Sequence, residues 1–169
     1  MSTRPSRDTR YVVADPYLRF WLTFLGPHLD EIERGRGDLV LRRITSSWTS
    51  WRGRAIEPVI RESLRRLPDV LPDGTAVVGA YWTRTNNPEI DIVGADREPV
   101  AKRITCVGSV KWLENRAFDA HDLARLIVHR SRLPGADDST SLVAVSRSGI
   151  TVDGVISFGP DDLLVAWQS

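Results

Sequence analysis

The chain has 169 residues, 41% of them hydrophobic, which suits one folded domain with a small appendage and excludes disorder throughout. Its formal net charge of +1 neither requires nor excludes a nucleic-acid partner, so any basic surface must be local. A single cysteine, Cys106, excludes a disulfide framework and a cysteine-based zinc site. No secretory signal is present, and the apolar run at 17–25 is too short to span a bilayer. We therefore expect a cytoplasmic protein without a membrane partner.

The amino-terminal part of the chain is predicted to be helical after a short lead. Residues 1–9 are polar and predict a disordered tail, and residues 11–13 predict a short strand. Asp15 and Pro16 provide an N-cap and a proline at the first helical position, which predicts a helix ending near 33–37. Core packing explains its aromatic face, and docking of a partner or a neighbouring domain is the alternative. That face consists of Tyr17, Phe20, Trp21, Phe24 and Leu25.

Two further helices are predicted before residue 70. The first covers residues 38–46. The second begins near Arg54 and ends at Leu67, because Pro58 lacks an N–H group, clashes with the preceding turn and is tolerated only near a helix start. This start places Glu57 in the first turn. The predicted buried side consists of Ile56, Val59, Ile60, Ser63, Leu64 and Leu67.

The remaining residues predict an α/β fold. A helix capped by Asp119 or its neighbour runs to Arg132, and a terminal helical turn covers 159–164. The element order αβββαβ predicts a mixed sheet flanked by helices, with a right-handed crossover. We expect a tail over 1–9, an N-terminal helical extension over 10–50 and a core domain over 51–169. The predicted strands cover residues 76–82, 89–95, 102–111, 141–146 and 151–157, with turns at 86–88 and 97–99.

Three segments carry the side chains that metal-dependent phosphodiester hydrolysis needs. Oxygen ligands hold Mg²⁺ or Mn²⁺ beside the phosphate, and a cation stabilises the developing charge. Asp91 lies in an apolar strand, where a carboxylate is costly to bury without a partner or a metal. Ser109 and Lys111 are two residues apart on the next strand and share a face, so we expect them near Asp91, with Glu57 closing the cluster. The alternatives are an exposed Glu57 and a structural Lys111–Asp91 ion pair.

In combination, these segments resemble the PD-(D/E)XK nuclease superfamily. More closely, the chain resembles the uncharacterised C-terminal domain of archaeal-type AAA-family ATPases, over residues 10–167. The resemblance implies a restriction-endonuclease-like core and an ATPase module or partner chain. It also implies that Glu57, Asp91, Ser109 and Lys111 are the catalytic positions, with Glu57 and Asp91 as ligands of Mg or Mn. The matching segments are 11–21, 53–57, 90–93 and 108–112.

Ser109 departs from the family pattern, which has glutamate at this position. One anionic ligand is thereby lost, because a serine hydroxyl is a weak neutral ligand for a hard cation. The chain also lacks the G-x-x-x-x-G-K-[ST] P-loop of the family's ATPase module, so it would not hydrolyse ATP by that route. The acidic residues considered as substitutes for the lost ligand are Glu89, Glu114, Asp119 and Asp122.

Two functions follow as hypotheses. The first is a weak Mg- or Mn-dependent DNA endonuclease, and the second is a catalytically degenerate module that binds nucleic acid or docks on a protein. Arg54, Arg61 and Arg65 near the motif helix are predicted to bind nucleic acid through phosphates, and a solvated helix face is the alternative. A purely structural interaction domain, based on the aromatic helix at 17–25, is the third possibility.

Overall fold

The structure is a computed structural model that describes residues 3, 13, 15–83 and 88–168. The predicted tail over 1–9, strand over 11–13 and turn over 86–88 fall mainly outside these residues. The chain divides into two compact units, one of residues 7–55 and one built from residues 56–169. Within the described part of the chain, no helix has the length and apolarity needed to cross a membrane.

The first unit is helical, as predicted for the N-terminal extension. Asp15 caps its start, because Asp15 Oδ1 accepts a hydrogen bond from the backbone N–H of Leu18 at 2.6 Å. The helical run ends at Glu33, within one turn of the predicted end. Its successive parts are α1 (Pro16–Phe20), a π-helical turn (Trp21–Leu25), a 3-10 turn (Gly26–His28) and α2 (Leu29–Glu33).

Four aromatic side chains, Phe20, Phe24, Trp48 and Trp51, form a cluster in this unit. Trp48 and Trp51 stack with ring centroids 5.3 Å apart and planes 19° apart, and Phe24 packs edge-on against Trp51 at 5.9 Å. Phe24 is buried, whereas Tyr17 is 70% exposed because it lies in the first turn, outside the cluster. Core packing therefore accounts for part of the predicted aromatic face, and Tyr17 does not belong to it.

A single helix, α3 (Gly37–Arg66), replaces the two predicted helices, so the predicted break before Arg54 was wrong. Pro58 lies in its interior and removes one backbone hydrogen bond, at a cost of about 3 kcal/mol. Full burial of Ile60 and Leu64 offsets this cost, because each such side chain contributes roughly 1.5–3 kcal/mol. Val59, predicted to be buried, is 41% exposed. The predicted domain boundary at 50/51 lies within this helix.

The second unit contains a five-stranded mixed sheet in the order β1-β2-β3-β4-β5. The first three strands pair antiparallel, and β3, β4 and β5 pair parallel. Between β3 and β4 the chain crosses over through α4 (Ala120–Arg132), which confirms the predicted order αβββαβ. The strands are β1 (Val77–Trp82), β2 (Glu89–Ala95), β3 (Ile104–Lys111), β4 (Ser141–Ser146) and β5 (Ile156–Phe158).

The predicted fifth strand over 151–157 was wrong in its bounds, because only its last two residues belong to β5. Gly154 adopts a positive φ of 80°, which turns the chain immediately before the strand. The terminal helix α5 (Pro160–Val165) follows, close to the predicted helical turn.

Apolar side chains cover both faces of the sheet, as the alternation of the strands requires. One face packs against the second half of α3 and against α5, and the opposite face packs against α4. The unit therefore has three layers, with helices on both sides of the sheet. On the α3 side the sheet contributes Val78, Ile92, Cys106, Val143, Val145 and Phe158. On the α4 side it contributes Ile90, Val93, Ala95, Ile104, Val107, Leu142 and Ala144.

Gly108 lies at a point of close approach between the central strands. A Cβ atom at this position would lie 2.9 Å from the Val143 carbonyl oxygen and 3.1 Å from Ile92 Cβ. Both atoms belong to neighbouring strands that cannot move cheaply, so we expect Gly108→Ala to lower the free energy of unfolding by about 2 kcal/mol. Urea denaturation measures this change. Gly53→Ala is the matched control, because a Cβ there meets nothing within 4 Å, and equal stability of the two variants would contradict the prediction.

Candidate acidic site at the end of strands β2 and β3

Asp91 lies one residue beyond the last backbone pair of β2 and β3, which joins Ile92 to Gly108. Its carboxylate bridges the two strands there, because Oδ2 accepts hydrogen bonds from the Val110 backbone N–H at 2.8 Å and from Ser109 Oγ at 3.2 Å. The fold therefore brings Asp91 and Ser109 into direct contact. Both hydrogen bonds use Oδ2 and fix the orientation of the carboxylate.

Helix α3 contributes Glu57 and Arg61 to the same region. Arg61 Nη1 donates a hydrogen bond to the Asp91 backbone oxygen at 2.8 Å, and it lies 3.5 Å from Glu57 Oε2. The two side chains are one helical turn apart, so they share a helix face. Arg61 thus links α3 to the amino-terminal part of β2. The Glu57 carboxyl group lies within electrostatic range of Asp91.

Both carboxyl groups of this site are harder to ionise than usual. Burial raises the pKa of Glu57 to about 7, the nearby Asp91 charge adds to the increase, and Arg61 opposes it. Burial also raises the pKa of Asp91, although the hydrogen bonds from Val110 and Ser109 act in the opposite direction. The perturbed pKa values of these two neighbouring carboxyl groups mark the cluster as a candidate functional site.

The raised pKa of Glu57 predicts that the free energy of unfolding decreases as the pH rises. The folded state retains a proton that the unfolded state releases above the ordinary pKa of 4.5, so this stabilisation is complete below pH 4.5 and is lost as pH rises through about 7. Since the Glu57 side chain is 27% exposed, we expect a loss of about 2 kcal/mol between pH 4.5 and 8, less than the full shift implies. Asp91 shifts in the same direction.

Urea denaturation at pH 5 and pH 8 measures this pH dependence. Glu57→Gln should remove most of the difference. Glu62→Gln, on the same helix, should retain it, because Arg66 and Arg65 hold the pKa of Glu62 below its ordinary value. A Glu57→Gln chain with the wild-type pH dependence would contradict the assignment.

Lys111, the last residue of β3, pairs with Asp122 of α4 and not with Asp91. Lys111 Nζ lies 2.8 Å from Asp122 Oδ1. The two groups are not oriented for a hydrogen bond, so the contact is an ion pair. The Asp122 side chain is 1% exposed, and its Oδ2 accepts a hydrogen bond from Arg116 Nη2 at 3.2 Å. The alternative of a structural Lys111–Asp91 pair was therefore wrong.

The sequence indicated Asp122 only as a substitute for the metal ligand that is lost at position 109. It did not indicate Arg116 as a residue of the site. The predicted crossover could have indicated both residues. The connection after β3 is short, so it brings the first turn of α4 back to the carboxyl end of that strand. Two other substitutes have different roles. Glu114 pairs with Arg147 at 2.6 Å, and Asp119 caps α4 by accepting from the His121 and Asp122 backbone N–H groups.

The acidic site has fewer carboxyl groups than a metal site formed by the protein alone would need. Among the described residues, no three His, Cys, Asp or Glu side chains form a group that could hold a metal ion. The site instead offers two carboxyl groups, those of Glu57 and Asp91. Mg²⁺ is commonly bound by one or two carboxylates together with substrate phosphates and water, so two ligands suit a site that is completed by the substrate.

The three arginines predicted to bind nucleic acid have different surroundings. Arg54 is exposed. Arg61 points to Glu57 and Asp91 as described, and Arg65 donates to the Val78 carbonyl oxygen through Nε at 3.0 Å and Nη2 at 2.6 Å. Internal contacts thus occupy two of the three guanidinium groups.

The fold and site define a three-layer α/β domain with partly buried carboxyl groups at one end of its central strands. A family model described as "DUF234: Archaea bacterial proteins of unknown function" matches residues 21–123. Because this match covers more than half of the chain, the protein belongs to that family. The matched range contains Glu57, Asp91, Ser109, Lys111 and Asp122.

The chain is also similar to an uncharacterized protein of Methanocaldococcus jannaschii, MJECL04. The two are 28% identical over 142 residues, which make up 83% of this chain and 31% of the relative. The chain therefore spans less than a third of the length of that relative. No solved structure matches the chain at a significant level.

Proposed function

We propose that this domain is a nuclease-like module, associated with an ATPase, that cleaves DNA weakly with Mg²⁺ or Mn²⁺. The observation that carries the proposal is the pair of partly buried carboxyl groups, Glu57 and Asp91, which have raised pKa values near the amino-terminal end of β2. Such a pair favours a cation that neutralises both charges. The motif resemblance to PD-(D/E)XK nucleases, which includes the same two residues together with Lys111, adds to this support.

Each side chain of the site would have a distinct role. Glu57 and Asp91 would hold the metal ion, which supplies Lewis-acid polarisation of the phosphate and a more acidic bound water. Ser109 and the Val110 N–H group hold Asp91 through Oδ2, and Arg61 fixes the backbone of Asp91. Lys111 would place a positive charge beside the phosphate as negative charge develops on it.

Calorimetric titration of the full chain with Mn²⁺ tests the cation site without requiring cleavage. We expect binding heat from the wild-type chain and none from Glu57→Gln. Glu62→Gln is the matched control on α3, because it removes a surface carboxylate that pairs with Arg65 and Arg66, and it should bind as the wild type does. Absence of heat from the wild-type chain, with and without a DNA oligonucleotide, would overturn the metal site.

A second function, binding without cleavage, is favoured by the contacts of Ser109 and Lys111. Ser109 donates a hydrogen bond to Asp91 where a third carboxylate would bind the metal, and Lys111 is held by Asp122. Incubation of end-labelled single-stranded and duplex DNA with Mn²⁺ separates the two functions. Metal-dependent products that disappear in Asp91→Asn support the nuclease. Retarded but intact DNA supports the binding module.

The ATPase association rests on the resemblance and on the greater length of the relative. MJECL04 has residues beyond the segment that this chain matches, enough for a further module. We expect full-length MJECL04 to hydrolyse ATP and a fragment limited to the matched segment to lack this activity. Absence of ATP hydrolysis by the full-length protein would contradict the association.

A further inference from the structure

The environment of Lys111 contains more polar groups than a simple ion pair requires. Asp122 is almost completely buried, which is rare for a carboxylate and costly unless it is paired. Two cations approach it from different residues, Lys111 at Oδ1 and Arg116 at Oδ2. One carboxylate is thus shared between a strand lysine, 18% exposed, and a loop arginine, 45% exposed.

Ser146 adds a second buried polar group beside this pair. Ser146 is the register partner of Lys111 on the parallel strand β4, so the two side chains are neighbours on one face of the sheet. In the described part of the chain, Ser146 Oγ is buried without a hydrogen-bond partner, and Asp122 Oδ1 is buried and contacts Lys111 Nζ through an ion pair alone. Native proteins rarely leave a buried hydroxyl such as that of Ser146 without a hydrogen-bond partner, and strain, a catalytic role or a bound water or ion are the usual reasons.

The position of this group in the fold is also that of a ligand site. Lys111 and Ser146 are the last residues of two adjacent parallel strands. In α/β proteins, ligands bind beyond the carboxyl ends of such strands. A lysine here can reach a phosphate beyond the sheet, provided that it can leave its buried partner.

We infer that Asp122 is a positioning residue for Lys111, and that Arg116 keeps the Asp122 carboxylate paired when Lys111 turns to a substrate phosphate. The inference rests on the proposed phosphodiester substrate. Breaking a buried ion pair is costly because it leaves an uncompensated charge. Arg116 removes that obstacle because it already contacts the second carboxylate oxygen, so the ammonium group of Lys111 can move from carboxylate to phosphate.

Lysine-specific NMR tests this transfer without requiring cleavage. The chain contains only two lysines, Lys102 and Lys111, so reductive ¹³C-methylation, which preserves their charge, gives two lysine signals and one from the amino terminus. Lys111→Arg assigns the signals. With EDTA present to prevent cleavage, we expect Asp122→Asn to shift the Lys111 signal, and a DNA oligonucleotide to shift it in the wild-type chain. The Lys102 signal should respond to neither.

Arg116→Gln separates transfer from simple pairing. Without Arg116, the Lys111 signal should respond to the same oligonucleotide at least fivefold less, because leaving Asp122 becomes costly. Arg97→Gln is the control, since Arg97 pairs with Asp96 at the opposite end of β3 and should leave the response unchanged. A Lys111 signal unaffected by Asp122→Asn would overturn the positioning role. Equal responses in Arg116→Gln and wild-type chains would overturn the role of Arg116.

Cleavage kinetics provide a second measurement where metal-dependent products form. Both Asp122→Asn and Arg116→Gln should lower kcat by about 10–100-fold with little change in KM, as supporting residues of active sites do. A rise in KM at constant kcat would show a role in substrate binding and overturn the inference. If Mn²⁺ titration and cleavage both fail, the nuclease proposal fails, and the NMR comparison still decides the inference.

Discussion

Replacing Lys111 by alanine should lower the rate of Mn²⁺-dependent DNA cleavage by about 10²–10³-fold, the usual effect of removing a group that stabilises transition-state charge. The reason is geometric as well as electrostatic. Asp122 holds the ammonium group at the end of β3, the strand that also carries Ser109 beside Asp91. Initial rates on labelled DNA at saturating Mn²⁺ measure the loss.

Two control variants isolate the role of the Lys111 charge. Lys102→Ala removes the other lysine of the chain and should leave the rate unchanged. Lys111→Arg retains the charge but changes its shape and reach, so we expect partial activity. Because Lys111→Ala leaves the buried Asp122 with Arg116 alone, unfolding must be monitored by circular dichroism at the assay temperature. Full activity of a folded Lys111→Ala chain would eliminate Lys111 from the mechanism.

The strands show where local sequence patterns were sufficient. The predicted ranges of β2 and β4 agree with the structure at both ends, because their apolar runs are bounded by turn-forming residues and buried in the middle of the sheet. Helix α3 shows where local sequence patterns were not sufficient. Pro58 indicated a helix start locally, but burial of Ile60 and Leu64 outweighs the lost hydrogen bond. Packing against distant strands decided that element, and no local pattern contains this information.

In the candidate site, too, local patterns predicted some contacts and not others. The period of two along β3 correctly placed Ser109 and Lys111 on one face, and Ser109 contacts Asp91. The partner of Lys111 required the crossover geometry, because Asp122 lies on a different element and is brought close only by the return of α4 to the sheet. Side-chain pairing between elements depends on tertiary approach, so the sequence suggested Asp91 as a partner of Lys111 and did not indicate Asp122.

Ser109→Glu should raise the affinity for Mn²⁺ by about tenfold or more, because it supplies a third carboxylate where Ser109 now donates a hydrogen bond to Asp91. Without metal, the same substitution should lower the free energy of unfolding by about 1–2 kcal/mol. It removes the Ser109 hydrogen bond and places a third negative charge near Glu57 and Asp91, whose pKa values burial already raises. Calorimetry and thermal unfolding with increasing Mn²⁺ measure both effects.

The sign of the metal response distinguishes a latent metal site from a structural serine. Ser109→Gln has the same length as the glutamate variant but no charge, so it should regain less stability than Ser109→Glu when Mn²⁺ is added, because only Glu57 and Asp91 remain as charged ligands. Ser109→Glu should recover, because binding to the folded state alone stabilises it in proportion to the logarithm of metal concentration. If Mn²⁺ stabilises neither variant, Glu57 and Asp91 do not bind a metal, and the acidic site is a structural remnant. If the glutamate variant recovers more stability than the glutamine variant and its cleavage rate increases, loss of one carboxylate is sufficient to explain the weak activity that we propose for this chain.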